Sequence, residues 1–166
     1  MIDELARITS KHAIHGMVID SPILVLHLIG LHDRGLISKF KRTQPFTAED
    51  SDLLAELMVR FRKIVTTPQI LAEVSNLLGQ LPDTTRDQVF SGPFRTLIEQ
   101  IAEEYVESRS VAGGESFPKF GLTDCSIERL SRGHAVLTAD FKLYVYLMKQ
   151  NADVINFHHY RDFFSQ

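Results

Sequence analysis

The sequence predicts an α/β protein of three layers, α/β/α, around a short, mainly parallel sheet of four or five strands. Three observations lead there. Short runs of apolar or β-branched residues recur at 16–19, 64–66, 135–138 and 154–157. None alternates with polar residues, so each reads as a strand buried on both faces, as parallel strands are. Helical patterns separate these runs, and alternation of strand with helix implies parallel crossovers. Helix-starting residues follow the first three runs: Asp20-Ser21-Pro22, Thr67-Pro68 and Asp140.

The elements follow in order. Gly16 to Ile19 is the first strand, and a helix runs from about Pro22 to His32 with Asp20 or Ser21 as its cap. Thr47 and Asp50 have capping-box spacing and open a helix with Leu53, Leu54, Leu57, Met58 and Phe61 on one stripe. Ile64 to Thr66 is a strand. The next helix faces Ile70, Leu71, Val74, Leu77 and Leu78 inward and breaks at Gly79 to Asp83. Arg86 to Ser108 reads as helix, with an interruption at Gly92-Pro93. Ala112 to Lys119 reads as a loop. A helix from Thr123, carrying Ile127 and Leu130, ends at Gly133. Ala135 to Thr138 is a strand, Asp140 begins a helix through Lys149, and Val154 to Phe157 is the last strand, with a short helix after His159.

The chain of 166 residues is expected to form one domain, 1–166, and can bury roughly 70% of its unfolded surface. At 44% hydrophobic and 23% charged it is neither disordered nor fibrous. A single cysteine, Cys125, excludes an internal disulfide framework and a multi-cysteine zinc site. Net charge is −3, so nucleic-acid binding has to rest on a local basic patch. Met1 to Arg7 lacks a signal-peptide layout, and the apolar run Ile23 to Leu31 is too short to span a bilayer. The expectation is a cytoplasmic protein without membrane contact.

In open α/β sheets, ligands collect outside the carboxyl ends of the strands. Asp20 ends the first strand, and Asp140 lies two residues beyond Thr138 at the end of the third. Glu73 shares a helix face with Ile70 and Leu77, and Asp124 shares one with Ile127, so both acids point toward the core. Buried carboxylates are costly alone and repel one another together. At least one, Glu73 before the others because its helix face is otherwise apolar, is therefore expected to hold its proton unusually tightly, and a divalent cation would relieve the repulsion. Hard oxygen ligands of this type suit Mg²⁺ or Mn²⁺. Each acid also has a simpler reading: Asp20 and Asp140 as helix caps, Asp124 as a complement to a helix dipole, Glu73 as half of an ion pair.

The same residues carry a family resemblance. Val18-Ile19-Asp20-Ser21-Pro22-Ile23-Leu24 resembles the first motif of PIN (PilT N-terminal) domains. Thr66 to Val74 is similar to the second, Gly121 to Ile127 to the third and Val136 to Asp140 to the fourth, and Asp153 to Phe157 fits the last family strand. The resemblance implies a PIN fold and a metal-dependent endoribonuclease that leaves 5′-phosphate and 3′-hydroxyl ends. It also implies that Asp20, Glu73, Asp124 and Asp140 are the catalytic and metal-binding set, with Ser21 and Thr138 as hydroxyl supports. Small stand-alone relatives are often toxins of toxin–antitoxin pairs, which adds an antitoxin-like protein and a homodimer as expected partners beside the RNA substrate. One departure stands out: Pro22 occupies a position where the family usually carries Asn. That replacement is the best support for the rival reading, a PIN-like scaffold that binds RNA or protein without catalysis.

Lys39-Phe40-Lys41-Arg42 is the basic cluster that sequence reasoning selects for RNA contact, with Lys39, Lys41 and Arg42 on phosphates and Phe40 under a base. A solvated loop is the simpler reading of such a run. Arg129 and Arg132 follow Asp124 closely enough to meet a phosphate or pair with an acid. Cys125 reads as a buried thiol, His158-His159 as a surface pair, and His12 and His15 as incidental. Phosphate-loop, dinucleotide and nucleophile-elbow motifs are absent.

Overall fold

Short polar residues followed by proline start two of the helices, and the strands before them lie side by side. A computed structural model describes residues 2–164. The chain runs α1 (Ile2–His12), β1 (Met17–Ile19), α2 (Ser21–His32), α3 (Ala48–Met58), β2 (Ile64–Thr66), α4 (Pro68–Leu78), α5 (Asp83–Val89), α6 (Arg95–Gln100), β3 (Ala102–Glu103), α7 (Ser108–Ala112), α8 (Phe117–Leu130), β4 (Ala135–Thr138), α9 (Phe141–Lys149), β5 (Val154–Asn156) and α10 (Phe157–Phe164). The five strands form one parallel sheet in the order β3-β2-β1-β4-β5. Helices flank it, giving the α/β/α arrangement expected.

The central strand β1 pairs Val18 with Val65 on one side and with Val136 on the other. The chain builds outward from β1 through β2 to β3, then returns to place β4 on the opposite side of β1. The order therefore reverses between β1 and β4. Such a reversal opens a crevice at the carboxyl ends of the two strands, because their following helices leave on opposite sides of the sheet.

Helix α2 is apolar around its whole circumference. Ile23, Leu24, Val25, Leu26, Leu28 and Ile29 are all fully buried, as a helix enclosed by other elements must be. A Cβ added at Gly30 would overlap the side chain of Ser51 in α3, so this glycine lets the two helices meet. Thr47 and Asp50 form the expected capping box at the start of α3.

Three segments differ from the sequence reading. The helix expected over 86–108 stops at Gln100. Pro93 cannot donate into a helical ladder, and a wide π turn at Phe90–Phe94, with Gly92 at ψ −107°, breaks the run. Beyond it, β3 extends the sheet at β2, and Glu104 N–H donates to the Thr66 carbonyl at 2.9 Å. The loop expected over 112–119 contains the end of α7 and the start of α8, with Gly121 at φ 72° marking a kink before the helix read from Thr123. Helix α1 was not foreseen. Leu5, Ile8 and His12 give it one buried face, and its last turn is tied to the start of β5. Asp153 there accepts hydrogen bonds from Arg7 (2.6 Å), Lys11 (2.6 Å) and His12 Nε2 (2.8 Å). These three contacts hold the Asp153 carboxyl well below the usual range against the opposing effect of burial. Among the described residues no helix is long and apolar enough to cross a membrane.

Candidate functional site

The crevice at the β1–β4 reversal is lined from four directions. Asp20 leaves the end of β1 and caps α2, with its Oδ1 accepting from the Ser21 N–H at 2.8 Å. Asp140 leaves the end of β4 and caps α9, accepting from the backbone N–H groups of Lys142 (2.6 Å) and Leu143 (3.0 Å). Glu73 comes from the second turn of α4 and Asp124 from α8, just beyond the Gly121 kink. Both cap readings thus hold in the structure, and they do not compete with a shared site. A cap at the head of a helix that follows a parallel strand lies at the carboxyl edge by construction.

One hydrogen-bonded chain joins β1 to β4. The Asp140 backbone N–H donates to Thr138 Oγ1 at 2.9 Å, and Thr138 Oγ1 donates to Asp20 Oδ2 at 2.6 Å. Ser21 Oγ donates to Glu73 Oε2 at 3.1 Å, tying α2 to α4. A further pair escaped sequence reasoning. Ser126 Oγ donates to the Thr123 carbonyl at 2.7 Å, so the 3.0 Å contact between Thr67 and Ser126 is a bond donated by Thr67. It docks α8 onto the head of α4 and so sets Asp124 opposite Glu73. Thr67 as the cap of α4 and Ser126 two residues beyond Asp124 were the available signal.

Burial grades across the four acids. Asp20 is 4% exposed, Glu73 and Asp124 are half-buried, and Asp140 is exposed. Burial raises the Asp20 carboxyl to about 6, with the Glu73 and Asp140 charges adding to the rise while the Thr138 and Ser21 hydrogen bonds oppose it. Burial raises Asp124 to about 7, followed by the charges of Asp20, Asp140 and Glu73. Asp20 and Asp124 therefore each feel the charges of Glu73 and Asp140. Among the described residues no Lys, Arg or His lies within 4.0 Å of any of them. The ion-pair reading of Glu73 is thereby excluded. Nor do three His, Cys, Asp or Glu side chains among the described residues already form a close-set metal cage. The four carboxylates are uncompensated and, among the described residues, form no ready-made coordination shell.

Other predicted residues lie elsewhere. Phe40 is 7% exposed and packs in the core, so it cannot stack on a base. Lys39, Lys41 and Arg42 follow the far end of α2, whose 12 residues span about 18 Å from its Asp20 cap. Lys39 and Lys41 face solvent, and Arg42 Nε donates to Gln80 at 2.9 Å. Arg129 donates to the Ser110 carbonyl at 3.0 Å. Pro22 occupies the first turn of α2, where a missing N–H breaks no helical bond. Cys125 is buried, as expected. His158 stacks on Phe46 with centroids 5.7 Å apart, and His12 is an anchor of α1.

No protein-family model, no curated protein and no solved structure matches this chain.

Proposed function

We propose that the chain is a metal-dependent endoribonuclease of PIN type, with Asp20, Glu73, Asp124 and Asp140 as its centre. The observation that carries this reading is the meeting of four carboxylates at the β1–β4 reversal with no neutralising cation side chain. A structural role gives a fold no reason to bring four repelling charges together. The donor chemistry fits Mg²⁺ or Mn²⁺: carboxylate oxygens from four elements and no nitrogen or sulfur.

Asp20, Asp124 and Asp140 would hold the ion. Bound there, a divalent cation supplies charge neutralisation at phosphorus and lowers the pKa of water. The protein residues do the rest. Thr138 fixes Asp20 Oδ2, and the Ser21 N–H fixes Oδ1, so this carboxylate is held in one orientation. Ser21 fixes Glu73 through Oε2, leaving Oε1 to orient a water and take its proton. The exposed Asp140 is the edge at which a phosphodiester enters. An antitoxin-like partner and a homodimer belong to this proposal through the family resemblance alone.

The test is cleavage of an RNA panel with Mg²⁺ and with Mn²⁺. Wild type is expected to cut, and Asp20→Asn and Asp124→Asn to lose activity about 10²-fold or more while remaining folded. Wild-type activity no higher than that of Asp20→Asn would refute the enzyme and favour the scaffold.

A further inference from the structure

Helix α9 begins one residue after Asp140 and has two contrasting faces. Leu143 and Leu147 are buried. The other side presents Phe141, Lys142, Val145, Tyr146 and Lys149, which line a groove together with Lys119 of α8. Spacings of three and four residues put these α9 side chains on one helical face. No carboxylate lines the groove, although the chain as a whole carries a net charge of −3.

Two features characterise this groove. Its three lysines are free: among the described residues none lies within 4.0 Å of a carboxylate. The groove is also aromatic. Lys119 Nζ sits 4.9 Å from the Phe120 ring centroid, and Phe120 packs on Tyr146 at 4.7 Å. Phe141 is braced by Tyr144 at 6.2 Å and His159 at 6.3 Å, yet remains 61% exposed. An exposed ring set against two neighbouring rings, at the head of a row of unpaired lysines, has the makings of a stacking platform with a backbone track.

We propose that the α8–α9 groove binds single-stranded RNA, with Lys119, Lys142 and Lys149 on phosphates and an unpaired base stacked on Phe141. Single strands are favoured over duplex because a ring can stack only on a base that is free of its partner. The choice of RNA rests on the reading of the acidic centre, which Phe141 adjoins through Asp140. The groove would lead the strand to that centre.

The experiment measures binding of a fluorescein-labelled 12-nucleotide single-stranded RNA by anisotropy in EDTA, so that cleavage plays no part. The combined variant Lys119→Gln, Lys142→Gln and Lys149→Gln should bind about tenfold or more weakly. Its slope of log affinity against log salt should be shallower by about 2, at roughly 0.7 per lost phosphate contact. Phe141→Ala should weaken binding about fivefold or more and leave the salt slope unchanged. All four side chains are exposed, so the variants should fold. Wild-type affinity in both variants overturns the proposal. So does a loss found only in Lys39→Gln, Lys41→Gln and Arg42→Gln together, or groove-dependent binding of poly-glutamate tighter than that of the RNA. Wild type that binds through the groove but does not cut with Mn²⁺ would overturn the nuclease reading while supporting the groove.

Discussion

Asp124 offers the cleanest perturbation of the centre. Its carboxyl makes no hydrogen bond among the described residues, so Asp124→Asn removes a charge without breaking a contact. In the folded protein the group is raised from its ordinary 3.8 to about 7, by burial first and by the Asp20, Asp140 and Glu73 charges next. The fold therefore binds this proton more tightly than the unfolded chain does. Its penalty on stability is absent below 3.8, grows as pH rises toward 7, and is constant above. At about 1.4 kcal/mol per pH unit the full penalty would be about 4 kcal/mol. Asp124 is only half-buried, and solvent screening reduces the figure to about 2 kcal/mol. For a chain of this size that corresponds to about 4–8 °C in Tm. Thermal unfolding of wild type and variant in EDTA, between pH 4 and pH 8.5, gives the answer. The variant should match wild type at pH 4 and outlast it by several degrees at pH 8. A difference that does not change with pH, or a variant less stable at pH 8, would refute the electrostatic account of the site.

Asp20→Asn should stabilise the metal-free protein less than its deeper burial suggests, because the amide cannot accept from both Ser21 and Thr138; parallel melts at pH 8 would show it. Mn²⁺ should raise the Tm of wild type and lose most of that effect in Asp20→Asn and Asp124→Asn, read by a thermal shift titration. Thr138→Val leaves the Asp140 N–H and Asp20 Oδ2 without their shared partner and should cost about 1–3 kcal/mol in urea unfolding. Asp153→Asn loosens α1 and should cost about 1–2 kcal/mol, since two of its three partners are half exposed. This contribution has the opposite pH dependence to that of Asp124. The depressed carboxyl stabilises fully above 3.8 and loses its effect as pH falls below that value.

What the sequence made legible follows from local physics. β1, β2, β4 and β5 are runs with no polar interruption, and Thr47/Asp50, Thr67-Pro68 and Asp140 encode their helix starts by side-chain chemistry. Asp20 and Asp140 are themselves helix starts, and Glu73 lies in the second turn beyond Thr67. What was illegible depends on partners far away in the chain. β3 has two residues and exists only because β2 presents a free edge, so no periodicity could announce it. Helix α1 carries an apolar stripe of Leu5 and Ile8, but its anchor Asp153 lies more than 140 residues away. Phe40 was read as exposed because its neighbours are basic, whereas its ring turns into the core. Within the centre, burial picks Asp20 and Asp124 for the raised carboxyls, and burial is a tertiary property.

The β1–β4 pairing has a consequence for the order in which the protein comes into being. Asp20 and its hydrogen-bonding partner Thr138 are 118 positions apart, and the strand that unites them is the fourth of five to be synthesised. Contacts of such long sequence separation form late and slowly, because the intervening chain must be closed first. A chain still on the ribosome at Gly133 already holds Asp20, Glu73 and Asp124, yet lacks the strand that brings the crevice together. The crevice is thus withheld from any copy that stops short of β4.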